Sequence, residues 1–202
     1  WKYIPEADGT PGGTTELIVA ITNLRVYNDA VNQVQENLDW LDSLLSKGYD
    51  SPILRTMRAR TLLNLKRVAE AEEDYKASLA LEPTGLAVRY YGELLRKTGR
   101  TAEALALYDS NSRLTDAFNG TELVEFLLQR ADAELLADPL KAITTIEDAK
   151  ARVKNMNAEQ IFRTRWTWSQ ATLDTMPTDP LERDTTFLEI ETELKIALSG
   201  YT

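Results

Sequence analysis

Four acidic residues, Glu70, Glu72, Glu73 and Asp74, form the densest group of side chains in this sequence that could bind a metal ion or transfer protons. Either chemistry requires carboxylates that converge on one point. Successive residues on a helix point about 100° apart, so these four side chains would diverge. We therefore interpret the run as a solvated helix face.

A second group of oxygen-bearing side chains begins at Asp109 and has the start of a calcium-binding loop. The pattern then fails, because Arg113 replaces an oxygen ligand, Leu114 the required glycine and Gly120 the bidentate glutamate. We interpret the segment from Asp109 to Gly120 as an insertion between structural units.

The sequence has no histidine and no cysteine, which removes the commonest general base, the commonest metal ligand and all thiol chemistry. It also has no phosphate-binding loop, dinucleotide fingerprint or nucleophile elbow. We predict a protein that is not an enzyme, with no catalytic residues, no cofactor and no metal. The formal net charge of −9 argues against nucleic-acid binding, and no apolar run is long enough for direct membrane insertion.

The elements that must position any binding residues are predicted to be helices. Residues 1–13 are rich in proline and glycine without periodicity and predict an extended N-terminal arm or linker. Prolines that follow Ser51, Asp138 and Asp179 mark three helix starts. The pattern predicts ten helices: 14–27, 29–46, 52–65, 68–82, 85–98, 101–113, 121–137, 139–155, 158–175 and 181–199.

An alanine followed four residues later by a large apolar residue recurs along the predicted helices. It occurs at Ala30 and Val34, Ala71 and Tyr75, Ala104 and Tyr108, and Ala142 and Ile146, so the alanines are 41, 33 and 38 residues apart. A small and a large residue four positions apart share one helix face and leave room for a neighbouring helix. Recurrence near 34 residues therefore predicts stacked helix pairs.

Two units carry further residues of a known pattern. One has Val88, Tyr91, Gly92, Leu95, Gly99, Ala104 and Tyr108, and the unit before it has Leu62, Leu65, Ala71, Tyr75, Ser78 and Pro83. In these residues the chain resembles the tetratricopeptide repeat (TPR) family, although Arg58 replaces a large apolar residue and Lys66 the turn glycine. The resemblance implies an all-α fold: a right-handed TPR-like solenoid of about five antiparallel helical hairpins, forming one domain over residues 14–202.

In solenoids of that family the first helices of successive pairs line the concave face. The resemblance places these polar residues there as candidates for partner binding: Arg60, Asn64, Arg89, Tyr90, Glu93, Arg96, Gln129 and Asp132. Arginine binds carboxylates with a rigid fork, so such a row predicts an acidic or C-terminal peptide as ligand. Some family members hold a terminal carboxylate with Lys and Asn, but Thr56 and Arg60 occupy those positions here. The alternative is that the arginines pair with surface acids such as Glu70, Glu72 or Glu93.

Two tryptophans, Trp166 and Trp168, are two residues apart on a predicted helix and therefore face different sides. We predict that Trp166 packs with Phe162 and Leu173. Trp168 either packs against the last helix, which we favour, or forms an exposed interface anchor of the kind that dominates binding energy.

These features predict a non-catalytic protein–protein interaction scaffold or adaptor that binds an extended peptide or a helix of another protein in its groove. One alternative is a self-assembling homo-oligomer, because Phe187, Ile190, Leu194 and Leu198 form an apolar stripe on the last helix. Another is an envelope-associated accessory protein. The sequence leaves the compartment open between the bacterial cytoplasm and the periplasm, and the absence of cysteine and the acidic balance favour the periplasm.

Overall fold

The computed structural model describes residues 31–118, 120–152 and 155–199, and the regular secondary structure within them is entirely helical. The helices are α1 (Val31–Ser46), α2 (Pro52–Asn64), α3 (Val68–Leu81), α4 (Gly85–Lys97), α5 (Thr101–Ser110), α6 (Gly120–Ala137), α7 (Pro139–Arg152), α8 (Ala158–Asp174) and α9 (Pro180–Ser199). The prediction of an all-α fold is confirmed. The predicted arm over 1–13 and helix over 14–27 lie outside the described residues.

The chain divides into two compact units, Trp1–Tyr91 and Gly92–Thr202. In the first unit, α2 packs against both α1 and α3. In the second, α6 packs against α5, α7 and α8, and α8 also packs against α7 and α9. The single domain over 14–202 and the right-handed twist of the solenoid stay predictions.

Three helix starts are fixed by side chains that accept hydrogen bonds from backbone N–H groups. The hydroxyl of Ser51 accepts from the N–H of Leu54 at 3.2 Å, just before the proline that begins α2. Asn157 and Gln160 form a reciprocal capping box at the start of α8. The carboxylate of Asp179 accepts at 3.0 Å from the N–H of Leu181 in α9. Such caps satisfy donors that a helix start would otherwise leave without partners.

Three helix ends share one turn geometry, in which a residue with left-handed backbone follows the last turn. These residues are Gly48 at φ 86°, Lys66 at φ 62° and Gly99 at φ 79°. The N–H of Gly99 bonds the carbonyl of Arg96, and the N–H of Lys66 bonds the carbonyl of Leu63 in the same way. Lys66 therefore adopts the conformation that the turn glycine of the repeat provides elsewhere.

The predicted alanine pattern marks buried helix contacts. Ala71 and Tyr75 in the first unit are inaccessible to solvent, as is Ala104 in the second, and Tyr108 is 1% exposed. A side chain at Gly92 would overlap the ring and hydroxyl oxygen of Tyr108. Glycine at position 92 therefore leaves the space that the buried Tyr108 ring occupies, so the small–large pattern reports side-chain packing between helices as predicted.

A network of charged side chains explains why Arg58 stands where the repeat calls for a large apolar residue. Its guanidinium forms an ion pair with Asp42 of α1 at 2.7 Å and donates a hydrogen bond to the buried Asp74 of α3 at 3.0 Å. Arg55 bonds the same oxygen of Asp74 at 3.1 Å. The two arginines of α2 thus join α2 to α3 through an ion-pair network rather than apolar packing alone.

The predicted helix 101–113 is too long, because α5 ends at Ser110 and a short 3₁₀ turn, Ser112–Asp116, follows. The side chains of Ser110 and Asn111 both donate to the carbonyl of Leu107, at 3.1 and 2.8 Å. Polar side chains that compete for backbone groups in this way favour a helix end. The irregular segment lies within the insertion predicted from Asp109 to Gly120.

Candidate functional site

Two arginines and one tyrosine of the first unit form the clearest group among the predicted binding residues. The central carbon of the Arg60 guanidinium lies 4.3 Å from the centroid of the Tyr90 ring, and that of Arg89 lies 5.0 Å from it. Arg60 comes from α2, whereas Arg89 and Tyr90 come from α4. We call Arg60, Arg89 and Tyr90 the Tyr90 cluster. Both distances are typical of cation–π attraction, which places two positive charges at one aromatic side chain.

The Tyr90 cluster is anchored on the core of the first unit. Tyr90 is half-buried and packs against the buried cluster of Leu41, Leu54 and Met57. An Arg89 N–H donates to the tyrosine hydroxyl at 3.4 Å. Because the ring is held by the core, it presents a fixed surface to both guanidinium groups.

Arg89 has no carboxylate within 4.0 Å in residues 31–118, 120–152 and 155–199. Of the acids proposed as its alternative partners, Glu70 pairs with Arg67 at 2.6 Å and Glu93 with Lys97 at 2.6 Å. The alternative that Arg89 is neutralised by a surface acid is therefore wrong for the described part of the chain. These glutamates instead pair with basic residues three or four positions away in the sequence, which lie about one helical turn from them.

Asn64 lies four residues after Arg60, at the end of α2, and its side chain is exposed. Its amide can both donate and accept hydrogen bonds. It is therefore available to a ligand's backbone on the same helix face as Arg60.

In the second unit, Arg96 and Gln129 each retain a polar atom that is buried and lacks a hydrogen-bond partner in the described structure: Nε of Arg96 and Oε1 of Gln129. Among described residues, Arg96 also has no carboxylate within 4.0 Å, so the pairing alternative is wrong for it too. Buried polar atoms without partners are costly, but a ligand cannot reach these two atoms directly, so a role of Arg96 and Gln129 in partner binding stays a prediction.

Asp132, the other predicted concave residue of α6, has a structural role. Arg163 of α8 bonds its carboxylate at 2.9 Å and that of Glu125 at 3.3 Å. Thr167 donates to the same Asp132 side chain at 3.2 Å. These bonds join α6 to α8 and leave Asp132 little capacity for a partner. Sequence analysis missed Arg163, because its spacing from Asp132 carries no recognisable pattern.

Trp168 lies beside α9, where it lines a groove of about 380 Å³ together with Thr185, Leu188, Glu189, Thr192 and Glu193. The ammonium group of Lys150 lies 5.2 Å from the centroid of its ring. The indole is only half-buried, so part of it remains open to the groove.

Trp166 packs with Phe162 as predicted, but it is 48% exposed and does not belong to the core. It stacks on Phe162 with ring centroids 6.0 Å apart, on the outside of α8. The buried face of α8 is instead made of small and polar side chains, including Gln160, Thr164 and Thr167. Aromatic spacing therefore indicated the wrong face, because polar residues with internal hydrogen bonds occupy the core here.

The described residues contain no group of three or more His, Cys, Asp or Glu side chains placed to hold a metal ion. No helix among them is long and apolar enough to cross a membrane.

No family model matches the sequence, and the search of curated proteins found no match. Among solved structures, the nearly identical TPR-like repeats of a Podosopora anserina protein described as a kinesin light chain have a TM-score of 0.67 and 13% identity. The match covers 93% of this chain and 98% of that one. A tetratricopeptide repeat protein from Parabacteroides merdae has a TM-score of 0.43 at 15% identity, covering 95% of this chain and 87% of that chain.

The chain therefore has a TPR-like fold of helical hairpins, as the repeat pattern predicted. At this level of identity the likeness shows the fold alone.

Proposed function

We propose that this protein is a non-catalytic scaffold that binds an acidic segment of another protein, with the Tyr90 cluster as the central contact. The observation that carries the proposal is that two guanidinium groups converge on one half-buried tyrosine ring. Arg89 adds a positive charge that no acid within the described residues neutralises. The TPR-like fold also supports the proposal, because folds of this class generally bind other proteins.

The chemistry of the cluster favours a carboxylate ligand. A guanidinium stacked on an aromatic ring keeps its N–H groups in its own plane, where they can donate to two oxygens at once. Because the ring already holds both arginines, little side-chain freedom is lost on binding. Asn64 adds an amide that can bond the backbone of an extended segment.

The charge of the whole chain makes such a cluster selective. With a formal net charge of −9, most of the surface repels acidic segments. A ligand rich in Asp and Glu is therefore attracted only where positive charge is concentrated. We expect the affinity to fall as salt is added, because the groups involved are partly exposed.

The experiment compares binding to immobilised peptides of equal length that contain either Asp and Glu or the uncharged Asn and Gln. Three proteins are tested: the wild type, the variant Arg60→Glu/Arg89→Glu, and the control Arg113→Glu/Arg183→Glu, which makes the same charge change at two exposed arginines elsewhere. Circular dichroism verifies that each is folded.

We expect the wild type and the control to prefer the acidic peptides, and the cluster variant to lose at least about tenfold in affinity, as for removal of a central interface arginine. Equal binding by the cluster variant and the control would contradict the proposal. Equal binding of acidic and uncharged peptides by the wild type would contradict it as well.

A further inference from the structure

The last two described helices carry large apolar side chains that are wholly or partly exposed to solvent. We call this surface the end face and define it by Trp166 and Leu173 of α8 and Phe187, Leu194 and Leu198 of α9. Trp166 is 48% exposed, Phe187 49% and Leu198 61%. An exposed apolar surface of this kind favours association with another apolar surface.

The side chains of the end face point to the same side of the α8–α9 pair. Ile190 and Ala197 hold α9 against the rest of the second unit, where they are 4% and 2% exposed. Glu193 lies to one side of this buried stripe, where it pairs with Arg165 of α8 and, at 3.8 Å, with Lys150 of α7.

Phe187 and Leu198 lie on the other side of that stripe by helical geometry, and therefore point away from α7. On α8, Trp166 and Leu173 lie opposite the buried Thr164 and Ala171, which also directs them away from α7. Helical geometry thus places these side chains on one side of the α8–α9 pair.

We propose that the end face is covered by a second copy of this chain, with the α9 helices of the two copies antiparallel about a two-fold axis. In a two-fold interface each patch contacts the same patch of the partner, so the patch must complement itself. An antiparallel register that sets Phe187 of one copy against Leu198 of the other meets this condition. It pairs an aromatic ring with an aliphatic side chain at both ends of the contact.

The charges beside the patch fit the same register. Glu191 and Lys195 flank the apolar stripe and pair within one helix at 2.7 Å, with side chains 57% and 71% exposed. In the antiparallel arrangement, Glu191 of each copy lies next to Lys195 of the other, so two ion pairs form across the axis. Elsewhere the surfaces of two copies repel, since each chain has a formal net charge of −9.

The first test is sedimentation equilibrium of the full chain over a wide concentration range. We expect a monomer–dimer equilibrium, and we expect the variant Phe187→Glu/Leu198→Glu to raise the dissociation constant at least about tenfold. The control Leu181→Glu/Leu188→Glu adds the same charges to outward positions of α9 that are 78% and 64% exposed, and should leave it unchanged. Circular dichroism shows whether each variant keeps its helices.

The second test exchanges the charges. The single variants Glu191→Lys and Lys195→Glu each place like charges across the axis, so each should dimerise more weakly than the wild type. When the two are mixed, opposite charges face each other again, so a heterodimer should form in preference to either homodimer.

A wild-type chain that stays monomeric at every concentration would overturn the proposal and leave the end face to a further helix or another protein. A dimer that survives Phe187→Glu/Leu198→Glu would overturn it too. The inference is independent of the acidic-peptide proposal, because Arg60→Glu/Arg89→Glu should leave the dimer unchanged.

Discussion

At the scale of single residues, Lys66 occupies a turn position of the repeat whose backbone conformation favours glycine. Its backbone lies at φ 62°, in the left-handed region that Gly99 occupies at the equivalent turn. For residues with a Cβ atom, this conformation costs roughly 1 kcal/mol or more in free energy. The turn is nevertheless formed, with hydrogen bonds of 2.9 Å from the N–H groups of Lys66 and Arg67.

We therefore predict that Lys66→Gly raises the free energy of unfolding by about 0.5–1 kcal/mol, because the strain is removed at little other cost. Gly99→Lys should lower it by about the same amount. Urea denaturation followed by circular dichroism measures both. A lower stability for Lys66→Gly would show that the lysine side chain contributes more than its backbone strain costs.

Two opposing effects act on the pKa of Asp74: burial of its carboxyl group and the two arginines beside it. Burial raises the pKa of its carboxyl above the ordinary value of 3.8, and the nearby Arg58 and Arg55 only partly offset this effect. The two ion pairs alone would suggest the opposite direction. Burial outweighs the two ion pairs, because one carboxylate oxygen of Asp74 is buried without any hydrogen-bond partner in the described structure.

An acid whose pKa is raised in the folded state binds its proton more tightly there than in the unfolded chain. Its contribution to stability therefore rises as the pH falls through the window between the raised pKa and 3.8. Asp74→Asn carries a permanently neutral group at this position. We predict that it changes the free energy of unfolding by less than about 1 kcal/mol at pH 7.

The measurement is urea denaturation of the wild type and Asp74→Asn at pH values from 7 towards 4. We expect the wild type to gain stability relative to the variant as the pH is lowered. A wild type that loses stability relative to the variant would mean that Arg55 and Arg58 outweigh the cost of burying the carboxylate.

At the scale of helices, most starts and ends could be predicted from the sequence, because they depend on local chemistry. Ser51, Asn157 and Asp179 cap helices by accepting hydrogen bonds from N–H groups only two or three residues further along the chain. The end of α5 was predicted too late in the chain, because the side chains of Ser110 and Asn111 donate hydrogen bonds to a backbone carbonyl there. The outward position of Trp166 was missed because the buried face of α8 is polar, which a hydrophobic pattern does not reveal.

Which polar side chains of different helices meet could not be predicted from the sequence. Arg60 and Arg89 could be placed among the candidates by their register. Their convergence on the Tyr90 ring depends on how α2 and α4 pack, and no spacing encodes that.

The ion pairs between α6 and α8 are a testable example of such a contact. We predict that Arg163→Met lowers the free energy of unfolding by about 1–3 kcal/mol, since it leaves Glu125 and Asp132 without their half-buried partner. In a double-mutant cycle with Asp132→Asn, the two changes should be non-additive by at least about 0.5 kcal/mol. Additive effects in urea denaturation would show that the ion pair does not couple the helices.

At the scale of the whole molecule, an acidic chain with a TPR-like fold concentrates positive charge at the Tyr90 cluster in its first unit. The second unit has an apolar end face. The two surfaces suit different partners: the first an acidic segment of another protein, and the second another copy of the chain. We propose that the Tyr90 cluster is the site at which the protein binds its partner.

The most direct test of that claim is photo-crosslinking in the native cell. The exposed Asn64, next to the cluster, is replaced by the photoreactive residue benzoyl-phenylalanine, and Arg183 is replaced in a control chain. We predict that position 64 captures a protein through a segment rich in Asp and Glu, and that Arg60→Glu/Arg89→Glu abolishes the capture. Capture no stronger than at position 183, or capture that survives the two arginine substitutions, would contradict the account.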